Sequence, residues 1–223
     1  MTLYSELFLA IEQGEAEPVT EWARGVLHGI STGQPPVDMV IHPLGFLCVP
    51  AHRSDDKGAC VHLWGSQWRR AVPTTSSVHC HSWDLLSWIL VGELHNRTVH
   101  VVDDVETPTH QVFEVHSGPD GDVVEPTGRL VRAEVQSTSA HRAGERYSLP
   151  AGIFHETVVP ATDDLVVTVA LGVTRTATVD LSLGGLRTAG HRVRRRACVR
   201  NEAVRAARIA TRAIANTCAI DRP

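Results

Sequence analysis

The chain has no long apolar run, a single lysine and few aromatic residues, and each shortage excludes something. None of its 223 residues belongs to a stretch approaching the ~18 consecutive apolar positions that a membrane span requires. The longest such tract, Leu165 to Val173, is interrupted by Thr168 and has the length of a strand. No basic segment opens the N-terminus, and Leu7 to Ile11 is too short for a signal-peptide core, so a cytoplasmic protein with no membrane partner is expected. No CxxC pair occurs among the five cysteines (48, 60, 80, 198 and 218), which leaves a zinc knuckle or thioredoxin-type site unsupported and free thiols expected. A hydrophobic fraction of 43%, a charged fraction of 21% and a mean hydropathy of -0.07 are ordinary for a globular chain, and exclude a disordered or collagen-like one.

The net charge of -4 conceals an asymmetry. Residues 1–30 carry Glu6, Glu12, Glu15, Glu17 and Glu21 against Arg24 alone, whereas residues 191–223 carry nine arginines against Glu202 and Asp221. Basic tails can bind nucleic acid. Single-strand binders interleave aromatic residues for stacking, and none follows Phe154 here. The preferred reading is an amphipathic helix whose arginines meet solvent or the acidic N-terminal end, so nucleic acid is not an expected partner.

Three regions follow from the patterning. Residues 1–36 read as a helical extension, with Leu3, Leu7, Ala10 and Ile11 at helical spacing and a second segment from Glu17 to Leu27. Residues 37–185 read as all-β, with short Val-, Ile-, Leu- and Thr-rich runs separated by turn clusters. The turns at Ser54–Gly58, Gly118–Gly121 and Pro160–Asp164 suit hairpins. Residues 186–223 are dominated by an Ala- and Arg-rich segment expected to be one helix over 193–218, with Arg205, Arg208 and Arg212 on one stripe.

Two segments carry chemistry. In His79-Cys80-His81, period-two alternation turns both imidazoles to one face and Cys80 to the other. Neighbouring neutral imidazoles suit a divalent transition metal. The second segment runs from Gly144 through Pro150 and Gly152 to His155. Pro150 and Gly152 make a tight turn feeding a strand, which is a physical way to present a third ligand, His155.

Together these segments resemble the two motifs of the cupin superfamily: His79-x-His81 with Gly92 eleven residues later, and Gly144 to His155. The resemblance covers roughly residues 40–175. It implies a double-stranded β-helix, or jelly roll, with helical extensions at both ends, and metal ligands at His79, His81 and His155. Many cupins add a glutamate four or five residues after the second histidine, where this chain has Leu85 and Leu86; Asp84 is one residue off. A three-histidine site is similar to that of the cysteine dioxygenase branch, which implies Fe(II), O2 and a small anionic substrate such as a thiol. That branch usually holds its substrate with an arginine on the strand here read as Phe46-Leu47-Cys48, and carries a Ser–His–Tyr relay where this chain has Val167 to Val173. Neither feature is present.

Other residues fall to be weighed around such a site. Arg53, Arg69 and Arg70 could bind an anion. Trp64, Trp83 and Trp88 could wall the pocket. Tyr147 and Asp84 are the catalytic candidates. The remaining histidines, His42 and His62 among them, lack a comparable pairing and read as ordinary. Two functions stay open: a mononuclear metal oxygenase, or a module that binds a small molecule or uses its metal structurally. A metal-dependent isomerase or lyase is the nearest rival enzyme. Barrels of this kind often pair through edge strands, so a homodimer is one expectation.

Overall fold

A computed structural model describes residues 2–33, 38–68, 71–118 and 120–220, with side chains as far as residue 217. Helix α1 (Leu3–Gln13) starts where the Thr2 hydroxyl accepts from the Ser5 amide at 3.3 Å, and α2 (Ala16–Thr32) follows directly. Two seven-stranded antiparallel sheets come next. The first consists of β14 (Arg196–Ala197), β1 (Val40–Ile41), β2 (Leu47–Arg53), β3 (Lys57–Trp64), β11 (Val166–Thr174), β5 (Trp83–Val91) and β9 (Arg146–Leu149), in that order. The second runs β13 (His191–Val193), β8 (Gly121–Arg142), β6 (Glu93–Asp103), β10 (His155–Val158), β4 (His79–Cys80), β12 (Leu181–Gly184) and β7 (His110–Gly118). From β3 to β12 the chain passes repeatedly from one sheet to the other, which makes the pair a double-stranded β-helix.

The first sheet is apolar on the face away from its partner. Leu47, Val49, Ala59, Val61, Leu63, Leu86, Trp88, Val167, Val169 and Leu171 alternate along four strands and join one buried cluster. Its other half comes from the helices. Ile11 of α1, Val19, Ala23 and Leu27 of α2, and Ala206, Ala207, Ala210 and Ile214 of α3 (Arg200–Ile220) complete it. The small alanines let α3 lie close to α2, and Arg205, Arg208 and Arg212 face outward. In the second sheet β7 also pairs with β8, so the sheet curls around a smaller cluster of Cys80, Val99, Val112, Val131, Phe154 and Leu183.

Three expectations need correcting. Residues 193–199 are not helical. His191 to Val193 pair with Asp122 to Val124, and Arg196 and Ala197 pair with Ile41 and Val40, so α3 begins only at Arg200. Edge pairing there overrides the helix propensity of Arg and Ala. Strand β8 is 22 residues long rather than one of the short runs expected, because residues 125–129 and 134–140 within it are exposed and show no apolar alternation. Finally, Pro160–Asp164 joins strands of different sheets (β10 to β11), while Ser54–Gly58 and Gly118–Gly121 do close hairpins. Among the described residues, no helix is long and apolar enough to cross a membrane.

Candidate metal centre

Strand pairing brings the three histidines together. His155 lies directly opposite His79 across the β10–β4 ladder, and His81 stands two residues along from His79. The turn before His155 is closed by the Ile153 amide donating to the Pro150 carbonyl at 3.4 Å. Gly152 sits within it at φ 80°, a conformation that side chains resist. The turn is docked twice onto the segment that leads from β4 into β5. The Gly152 amide donates to the His81 carbonyl at 2.9 Å, and the Ala151 amide to Asp84 Oδ1 at 2.8 Å.

One potential ligand atom from each of His79, His81 and His155 lies within 4.8 Å of those of the other two. Two of the tautomers are fixed by the backbone. His79 Nδ1 is 2.8 Å from the Ser77 carbonyl and His155 Nδ1 is 3.1 Å from the Ile153 carbonyl. A carbonyl only accepts, so each Nδ1 carries the proton and each Nε2 keeps a free lone pair. His81 instead stacks on Trp83, with centroids 4.1 Å apart. Burial holds all three imidazoles below their ordinary range, helped at His81 by the neighbouring His79 and His155, and His155 falls to about 3. Three neutral nitrogen donors, two with their lone pairs set by backbone partners, fit a divalent transition metal.

The histidines face a cavity of about 370 Å³ between the two sheets. Arg53, Trp64, Trp83 and Tyr147 all reach it. Trp88 does not: five positions from Trp83 on one strand, it falls on the opposite face and packs beneath the helices. Asp84 has the same parity as Trp88 and is not part of the cavity wall. Its Oδ2 accepts from Arg175 Nε at 2.7 Å and from the second guanidinium nitrogen. With Oδ1 on the Ala151 amide, that carboxylate ties down the turn and stands outside the histidine cluster. Its pKa is held down by the amide and the guanidinium. Arg69 and Arg70 lie outside the described residues.

The cavity also holds residues that sequence reasoning passed over. His42, Cys48, Cys60 and His62 line it, as do Lys57 and Arg195. The Leu44 amide donates to His42 Nδ1 at 3.2 Å, so this imidazole carries its proton on Nε2, the reverse of His79 and His155. Phe46 stacks on His42 at 4.3 Å and on Trp64 at 4.0 Å, forming an aromatic wall. Burial also raises the Tyr147 phenol, against the opposing pull of Ser87 and Thr157, so it stays protonated at neutral pH.

The sequence matches no protein-family model and no curated protein. Its similarities are to solved structures. One is an uncharacterized conserved protein with a double-stranded beta-helix domain from Klebsiella pneumoniae, at 10% identity and a TM-score of 0.35, covering 63% of this chain and 80% of that one. A cupin-2 domain containing protein from Shewanella frigidimarina gives 12% identity and a TM-score of 0.30, over 57% and 79% of the two chains. The hydroquinone 1,2-dioxygenase from Sphingomonas sp. TTNP3, solved with 4-hydroxybenzoate bound, gives 12% and 0.34, over 69% and 75%. At these identities the likeness concerns architecture and carries no activity across.

Proposed function

We propose that the protein is a mononuclear metal oxygenase of the cupin type, with Fe(II) held by His79, His81 and His155, oxidising a small anionic substrate such as a thiol with O2. The observation that carries this reading is the convergence of three neutral imidazoles on one cavity between the sheets. A metal on this set supplies a redox-active Lewis acid with coordination positions left open for ligands other than protein. Because the three donors are neutral, the site keeps the full positive charge of the ion and favours an anion beside it. Arg53 enters the cavity from β2 and is the residue proposed to hold the substrate's anionic group. Trp64 and Trp83 wall the cavity and exclude water from a small apolar body. Tyr147, kept protonated by its burial, is the proposed proton donor within the site.

Metal analysis of protein purified without chelator, then loaded anaerobically with Fe(II), tests the reading. About one equivalent of iron lost in both His79→Ala and His155→Ala, together with oxygen uptake on a small thiol or enolisable acid, is the expected result. Failure of the triad to take up iron at all would overturn it. Triad-bound metal with no oxygen uptake on any such substrate would leave the non-catalytic or isomerase reading in its place.

A further inference from the structure

On the wall opposite the histidine triad, the β2–β3 hairpin gathers three soft donors. Cys48 pairs directly with His62 across the ladder, and Cys60 lies two residues before His62 on β3. Period-two alternation therefore turns all three side chains to the same face, and that face is the cavity. A ligand atom from each lies within 4.8 Å of those of the other two. We propose that Cys48, Cys60 and His62 form a second metal site, for a thiophilic ion of the Zn(II) class, separate from the triad and facing it across the cavity.

The donor chemistry separates the two sites. Two thiolates and one imidazole are the ligand set of tetrahedral zinc with one position left open, whereas three imidazoles and no sulfur make a harder site. The hairpin is also well placed to hold a fixed geometry. Ala59, Val61 and Leu63 alternate with the proposed ligands and are fully buried under the helices, so β3 has little freedom to turn. Electrostatics already favour ionisation there. The Cys48 thiol and His62 both lower Cys60, while Cys48 is pushed up by the same contact and by burial, so Cys60 is the readier of the two to ionise. A bound divalent ion takes both sulfurs as thiolates, and two thiolates against the ion leave the complex neutral.

Cobalt(II) titration of the full-length protein, kept reduced with a phosphine and free of oxygen, tests this. Two equivalents are expected, one of them giving an intense near-ultraviolet sulfur-to-cobalt charge-transfer band that imidazole ligands alone do not produce. The Cys48→Ser/Cys60→Ser double variant should lose the band and drop from two equivalents to one. His79→Ala/His155→Ala should also drop to one while keeping the band, so failure of the triad and failure of this site are distinguishable. His62→Gln, which keeps both sulfurs, should shift the visible bands and weaken binding at least tenfold. Absence of the band in reduced wild-type protein overturns the proposal, whatever the variants do. So does its persistence in a folded Cys48→Ser/Cys60→Ser variant, which would place the thiolate at Cys80, Cys198 or Cys218.

Discussion

Acidification should destabilise the metal-free protein at pH values where most proteins are indifferent to it. His155 has 3% of its surface exposed, and its pKa falls from 6.5 to about 3 through burial, with His79 adding to the effect. A depressed histidine costs nothing above the unfolded pKa, because both states are then neutral. Below it the unfolded chain takes up a proton that the native state refuses, and stability is lost at about 1.4 kcal/mol per pH unit until the folded pKa is reached. Between pH 7.5 and pH 5 that gives a loss of about 2 kcal/mol from His155 alone. His42, His79 and His81 are all held down by burial and act in the same direction. Carboxylates do not blur this window. Asp84, Glu93 and Asp104 are all lowered by hydrogen bonds, so their contribution is lost only as pH falls below the ordinary carboxylate range. Against the ~5–15 kcal/mol that holds a typical domain together, the histidine effect is large. Urea denaturation in the presence of a chelator at pH 7.5, 6.5, 5.5 and 5 measures it directly. The same series on His155→Gln should show a pH dependence shallower by about one proton. Stability that is flat or rising towards pH 5 would refute the argument, because it would mean that the triad is protonated, and open to water, in the native state.

Other perturbations have effects that can be ranked. Leu63→Ala removes a fully buried side chain from the interface between the first sheet and the helices, and should cost about 2–5 kcal/mol in denaturant unfolding. Gly152→Ala meets no clash, the nearest atom being Thr178 Cγ2 in ordinary contact at 3.8 Å, but at φ 80° it should cost about 1–2 kcal/mol and weaken metal uptake measured alongside. Asp84→Asn should keep its full equivalent of metal in elemental analysis, since the carboxylate serves the turn. Its ion pair with Arg175 is largely exposed, so the stability change should stay below about 1 kcal/mol.

Much of the site could be read from local spacing. Both histidines of His79-Cys80-His81 lie within one strand-like run, and Pro150, Gly152 and His155 lie within one turn, so no long-range pairing has to be known to group them. Parity along β5 also decides more than composition does. Trp83, Leu85 and Ser87 face the cavity, whereas Asp84, Leu86 and Trp88 are on the alternate positions; counting by two from Trp83 separates Trp88 and Asp84 from the pocket. What spacing cannot supply is the hairpin register that sets Cys48 against His62, or the edge pairing that makes strands of His191–Val193 and Arg196–Ala197. The signal nearest to hand was Cys60-Val61-His62, which has the same alternation as His79-Cys80-His81.

That signal is hidden by an inversion in the architecture. In an ordinary half-buried sheet the apolar face of each strand marks the interior and the polar face meets water. Strand β3 obeys the alternation, with Ala59, Val61 and Leu63 on one side and Cys60, His62 and Trp64 on the other. Here three helices cover the apolar face from outside, so the strand's other face is turned inward onto the second sheet. The donors that a half-exposed strand would leave to solvent are thereby enclosed: Cys60 and His62 on β3, Cys48 on β2, Thr168 on β11 and Ser87 on β5 all line the cavity. Burying polar groups without partners is costly, and the backbone partners of His42, His79 and His155 recover part of that cost. The helical layer and the polar lining of the cavity are therefore linked. By occupying the apolar side of the first sheet, α1, α2 and α3 turn its polar side onto the space between the sheets.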